Sequence, residues 1–85
     1  MKVVALIPAF NEAGTVAEVI AGLRDLVSQV LVVDDGSVDA TAARARQAGA
    51  EVLSLNANQG KGAAIRAGLA ALLTRPFTHV LLLDE

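Results

Sequence analysis

Apolar positions in this chain fall into two rhythms that alternate from one end to the other. Short runs with little polar interruption occupy 3–7, 30–33, 51–55 and 79–83. The first, second and last are nearly continuous, as parallel strands covered on both faces require. Between the runs, apolar residues recur with helical spacing. Val16, Val19, Ile20, Leu23, Leu26 and Val27 predict one apolar stripe on a first helix. Ala40 to Ala48 predicts a short helix of small residues, which Gly49 ends in a left-handed turn. Ile65, Leu69, Leu72 and Leu73 predict a third stripe, closed by Arg75-Pro76.

Strand and helix thus alternate β-α-β-α-β-α-β, which predicts an α/β fold with a Rossmann-like parallel sheet and right-handed crossovers. Both faces of such a sheet need cover, so the three helices divide between them. The simplest solution is a four-strand order of 3-2-1-4, with the third helix opposite the first two. Its topological switch point lies between the first and fourth strands, where ligands bind at the carboxyl ends. Polar residues gather at those ends: Pro8-Ala9-Phe10-Asn11-Glu12, Asp34 to Thr41, Asn56 to Gly62, and Asp84-Glu85.

Composition narrows the possibilities. A chain of 85 residues is one small domain, and 54% hydrophobic with 19% charged residues is globular rather than disordered. The net charge of −2 argues against nucleic-acid or anionic-membrane surfaces, which need clustered Lys and Arg. There is no cysteine, which excludes disulfides, thiolate metal sites and cysteine nucleophiles and fits a reducing, cytoplasmic setting. No apolar stretch reaches the roughly 18 residues of a membrane span. Lys2 and the run Val3 to Ile7 look briefly like a signal peptide, but Pro8, Asn11 and Glu12 break the run and no cleavage site follows.

Four segments carry a resemblance. Pro8-Ala9-Phe10-Asn11-Glu12 is similar to the P-A-[FY]-N-E opening of family 2 glycosyltransferases of the GT-A fold. Val32-Val33-Asp34-Asp35-Gly36-Ser37, with Asp39 and Thr41, resembles their V-V-D-D-G-S-x-D-x-T segment. Asn58-Gln59-Gly60-Lys61-Gly62-Ala63-Ala64 resembles the N-x-G-K-G-x-A segment of the branch similar to polyprenyl-phosphate mannosyl- and glucosyltransferases. Leu81-Leu82-Leu83-Asp84 resembles the strand leading into the D-x-D motif. Each is unspecific alone; the four in order cover nearly the whole chain.

This resemblance implies a partial GT-A fold, with residues 1–85 as a nucleotide-sugar-binding part that ends at the D-x-D motif. It places Pro8, Ala9, Phe10, Asn11, Glu12, Val33, Asp35, Lys61 and Asp84 at the donor nucleotide, a GDP- or UDP-linked sugar. Asp84 would also hold Mg²⁺ or Mn²⁺. The second D-x-D aspartate would fall one residue beyond Glu85, and the family's acceptor region and catalytic base lie further on, so no residue here is assigned a catalytic role. A non-catalytic nucleotide-binding fragment is the alternative reading.

The residues themselves support some of these roles and leave others open. Ser37 and Asp39 are expected to cap the second helix, Ser37 as N-cap. Capping does not account for two adjacent carboxylates at the end of an apolar strand, and for Asp35 ligand binding is favoured. Glu12 before a helix is favourable by dipole alone, and Phe10 suits a core as well as a base pocket. Lys61 near a helix N-terminus opposes the dipole, yet suits a pyrophosphate that Gly60 and Gly62 let the backbone approach. Asp84 has no cation near it in sequence, and a hard divalent ion would account for it. His79 is expected at a strand start, away from the site.

Other nucleotide folds fit less well. The first turn holds only Gly14 where a dinucleotide fold needs G-x-G-x-x-G, and Gly60-Lys61-Gly62 lacks the first glycine and the hydroxyl of a P-loop. A phospho-receiver module would put its acidic pair after the first strand. Strand four, Val80 to Leu83, is nearly all apolar and lies at a predicted sheet edge, which predicts self-association through it.

Overall fold

A computed structural model describes residues 1–84. The elements in order are β1 (Val3–Ala9), α1 (Val16–Leu23), β2 (Gln29–Asp34), α2 (Thr41–Gln47), β3 (Glu51–Ser54), α3 (Lys61–Leu72) and β4 (His79–Leu82). The four strands form one parallel sheet in the order β3-β2-β1-β4, as the alternation of runs predicts. Strand alternation sorts β1 and β2 onto two cores. Ala5, Ile7, Ala9 and Val32 face Val16, Ile20 and Leu23 of α1 and Ala45 of α2. Val4, Leu6, Leu31 and Val33 face Ala64 and Leu72 of α3. The third helix therefore lies opposite the other two.

Three expectations about helices need correction. The α1 stripe stops early: the helix ends at Leu23, whose carbonyl then accepts from both the Leu26 and Val27 N–H groups. Leu26 lies in that turn and is 70% exposed, while Val27 returns to the core. In α3 the buried face is Ala64, Gly68 and Leu72, whereas Leu69 and Leu73 are exposed. Close approach explains it. A Cβ on Gly68 would lie 2.4 Å from Leu6 Cδ1 and 2.9 Å from Val33 Cγ2, so the helix sits on the sheet through its small residues. Ser37 is not the N-cap of α2, which begins at Thr41. Asp39 takes the capping work instead, its Oδ1 accepting from the Thr41 N–H at 3.0 Å. Gly49, by contrast, ends α2 with φ +98°, as expected.

Pro8 is set inside a central strand, where a missing N–H would ordinarily break a ladder. Here it does not. β1 bonds β2 through its odd residues and β4 through its even ones: Asp35 N–H donates to the Ala9 carbonyl, and Leu83 N–H to that of Leu6. Pro8 would thus donate towards β4, whose pairing with β1 ends at Leu6 opposite Leu82. The sheet opens between β1 and β4 at that point, at its switch point.

Candidate functional site

The opening is a cavity of about 320 Å³, in the size range of small-molecule sites. The exit of β1 supplies Pro8, Ala9, Phe10 and Glu12; the exit of β2 supplies Asp35; the entry of α3 supplies Asn58, Gly60, Lys61 and Ala64; the exit of β4 supplies Asp84. Seven of the nine residues expected at a nucleotide therefore share one cavity. Asn11 and Val33 do not line it. Val33 is fully buried in the α3-side core, so its side chain is not available to a ligand. Asn11, with φ 53°, ties two loops together: its N–H donates to Ser37 Oγ at 2.8 Å, and its Oδ1 accepts from the Val38 N–H at 3.0 Å.

The adjacent carboxylates diverge because strand residues alternate faces. Asp34 turns to the α1/α2 side, where Oδ1 accepts from the Ser37 N–H at 3.0 Å. Asp35 turns to the α3 side and into the cavity wall. Its Oδ1 accepts from the Gln59 N–H at 2.8 Å and its Oδ2 from the Gly60 N–H at 2.9 Å. It does not cap α2. Directly after them Gly36, with φ +72°, lets the loop pass against the next one: a Cβ there would lie 2.5 Å from the Ala57 carbonyl carbon and the Asn58 nitrogen.

Lys61 is the first residue of α3, and its Nζ stands 2.6 Å from Asp84 Oδ1. Asp84 thus has a cationic neighbour that the sequence separation conceals. Both side chains are about half exposed, so the pair stays open to exchange with a ligand. Phe10 is 44% exposed and lines the cavity rather than the core. Glu12 anchors the start of α1. Its carbonyl accepts from the Thr15 and Val16 N–H groups, and its Oε2 accepts from the Thr15 hydroxyl at 3.2 Å. His79 lies exposed at the start of β4, away from the cavity, with Nδ1 2.9 Å from Thr78 Oγ1.

Thr41 is marked in the sequence only as the last position of the V-V-D-D-G-S-x-D-x-T segment, and its structural role emerges from the fold. It is fully buried, its hydroxyl accepts from the Glu12 N–H at 2.9 Å and it donates to Asp39 Oδ1. Asp39 Oδ2 in turn accepts from the Ala13 N–H at 3.2 Å. These bonds lash the β1 exit to the start of α2. The Thr41 hydroxyl, and after it the Thr41 and Ala13 N–H groups, hold the Asp39 carboxyl below the ordinary carboxylate range. Asn58 and Gly60 also belong to the site and were legible within the glycine-rich segment. Ala64 is added by its place one turn into α3.

The donor set for a metal is limited. Among the described residues no group of three His, Asp or Glu side chains converges. Asp84 offers one hard carboxylate at the cavity. That fits a Mg²⁺-type ion, which uses one or two carboxylates together with substrate phosphates. Glu85 lies outside the described residues. A second cavity of about 200 Å³, at the opposite end of the sheet near Arg24, Val30 and Gly49, has no acidic lining.

Comparison with known proteins agrees with this geometry. The sequence model of glycosyl transferase family 2 matches residues 4–85, and the chain belongs to that family. Glycosyltransferase AglJ of Haloferax volcanii is 42% identical over 80 residues, spanning 93% of this chain and 25% of the relative. Mannosyl-3-phosphoglycerate synthase from Rubrobacter xylanophilus superposes with a TM-score of 0.75 at 36% identity, over 82% of this chain and 26% of that one. Glucosyl-3-phosphoglycerate synthase from Mycobacterium tuberculosis, solved with Mn²⁺, UDP and glucosyl-3-phosphoglycerate, gives 0.75 at 32% identity, over 98% and 33%. The chain thus spans a quarter to a third of the length of these relatives. No helix among the described residues is long and apolar enough to cross a membrane.

Proposed function

We propose that residues 1–85 are the donor-binding part of a glycosyltransferase that takes a GDP- or UDP-linked sugar. One observation carries this reading: Asp35, Lys61 and Asp84, from the exit of β2, the start of α3 and the exit of β4, line one cavity at the switch point with Glu12 and Phe10. Asp35 and Glu12 accept hydrogen bonds from the nucleoside, and Phe10 with Pro8 and Ala9 forms the wall beside the base. Lys61 shares its charge between Asp84 and the diphosphate, at a helix N-terminus that itself favours anions. Asp84 contributes one ligand to Mg²⁺ or Mn²⁺; when bound, such an ion neutralises charge on the diphosphate leaving group. UDP and Mn²⁺ in the structure of glucosyl-3-phosphoglycerate synthase support the UDP option. A polyprenyl phosphate is the acceptor proposed, which would put the reaction at the cytoplasmic face of a membrane.

Melting temperature in the presence of UDP, GDP and their sugars tests this, with and without Mn²⁺. A rise with one nucleotide series is expected. Lys61→Ala should weaken diphosphate binding by about 1.5–3 kcal/mol, the scale of a hydrogen bond to a charged group. It should leave stability within about 0.5 kcal/mol, because exposed ion pairs contribute little. No rise with any nucleotide would contradict the reading.

A second reading concerns association. Leu81 and Leu82 are 41% and 44% exposed on β4, a sheet edge with one paired side. Such an edge invites pairing with a second copy of the chain. Sedimentation should show a dimer at micromolar concentration; a monomer throughout would remove the idea.

A further inference from the structure

We infer that Asp35 is a positioning residue for the phosphate end of the site: its carboxylate holds the entry to α3, and with it Lys61, in register with Asp84. The inference rests on the donor-binding reading but starts from the ligand-free geometry. Asp35 is only 4% exposed, and each of its carboxylate oxygens already accepts a backbone N–H, from Gln59 at 2.8 Å and Gly60 at 2.9 Å. Asn58 Nδ2 adds a longer bond, 3.4 Å, to the Asp35 carbonyl. Among the described residues, these are the hydrogen bonds that tie the segment 56–60 to the sheet. The next residue is Lys61, whose Nζ lies 2.6 Å from Asp84 Oδ1.

A continuous path therefore runs from the end of β2 through Gly60 and Lys61 to the end of β4. The segment is intrinsically loose. Gly60 has φ +94° with nothing within 4 Å of a Cβ placed there, and Gly62 follows in the first turn. Two charge-assisted bonds to a buried carboxylate are what give it a fixed geometry. A carboxylate has about four acceptor positions, so Asp35 can take an N–H from a nucleobase while keeping both loop bonds. The base end and the phosphate end of the site are thereby coupled through one side chain. Asparagine at this position keeps the shape but offers one acceptor oxygen, and its amide group opposes the second N–H.

The test compares uridine with UDP, and guanosine with GDP, on wild-type chain, Asp35→Asn, Lys61→Ala and the double variant, by NMR titration. A residue that only touches the base loses the same factor for nucleoside and diphosphate. A positioning residue loses at least tenfold more for the diphosphate, and that excess disappears in the Lys61→Ala background. Equal losses, or an excess that persists without Lys61, would overturn the inference. Hydrogen exchange without ligand gives an independent arm. Asp35→Asn should speed exchange of the Gln59 and Gly60 amides at least tenfold while the Leu6 and Val32 amides stay protected. Unchanged exchange at Gln59 and Gly60 would overturn the inference even if wild-type chain bound no nucleotide, a result that by itself would sink only the donor-binding reading.

Discussion

Thr41 shows how one buried hydroxyl organises a site it does not line. It is fully buried, yet its polar atoms are satisfied by Glu12 on one side and Asp39 on the other. Thr41→Val keeps the shape and removes the hydroxyl, leaving the half-buried Glu12 N–H without its acceptor. That should cost about 1–3 kcal/mol, the penalty of an unsatisfied donor, read as a lower urea midpoint. An unchanged midpoint would show that the lashing is ornamental. Asp39 makes the same cluster sensitive to acid. The fold depresses its pKa, chiefly through the Thr41 hydroxyl, so the fold favours its ionised form. Its contribution is therefore fully present above the ordinary carboxylate value and is lost as pH falls from there through the depressed value of the folded state. Glu51 behaves alike because the Arg75 guanidinium grips it, with Nη1 2.6 Å from Oε1. Melting temperature should fall on acidification, and Asp39→Asn should start lower at neutral pH and fall less. Parallel profiles for the two proteins would contradict this.

Among the elements, α3 shows best what sequence could and could not reveal. Its existence and its place opposite α1 and α2 follow from the strand pattern and the need to cover both faces. Its buried stripe does not, because hydropathy ranks Leu69 and Leu73 above Gly68, while the sheet requires closeness and so selects the smaller residue. The strands were more legible, since the runs in β1 and β2 are buried on both faces and read as unbroken apolar sequence. At the site, the adjacent carboxylates and the Gly-Lys-Gly segment could be read directly. The contacts of Asp35 with Gln59 and Gly60, and of Lys61 with Asp84, could not, because they join residues distant in sequence. Gly68→Ala tests the packing. Helix propensity favours alanine by about 0.8–1 kcal/mol. Overlap with fully buried Leu6 and with Val33, which is stiff at χ1, should cost about 1–3 kcal/mol and win by about 1 kcal/mol. Gly22→Ala on the exposed face of α1, with nothing within 4 Å of the added Cβ, should instead raise stability. Stabilisation by both substitutions would show that α3 does not sit as closely on the sheet.

At the scale of the whole molecule, the sheet order turns four separate polar strand ends into one surface. The opening beside Pro8 exists because β4 stops pairing with β1 at Leu6, and the residues proposed for the nucleoside, the diphosphate and the metal reach it from the exits of β1, β2 and β4 and the entry of α3. Membership of glycosyl transferase family 2 agrees with this arrangement. The most direct test is NMR mapping of the ¹⁵N-labelled chain with UDP or GDP, first with Mg²⁺ and then with Mn²⁺. One nucleotide should shift the amides of Phe10, Asp35 and Gly60. Paramagnetic broadening by Mn²⁺ should centre on Asp84 and Lys61, deepen when the diphosphate is added, and spare Arg24 and Gly49 at the opposite cavity. Broadening centred elsewhere, or shifts with neither nucleotide at the β1–β4 opening, would contradict the assignment of this cavity as the donor site.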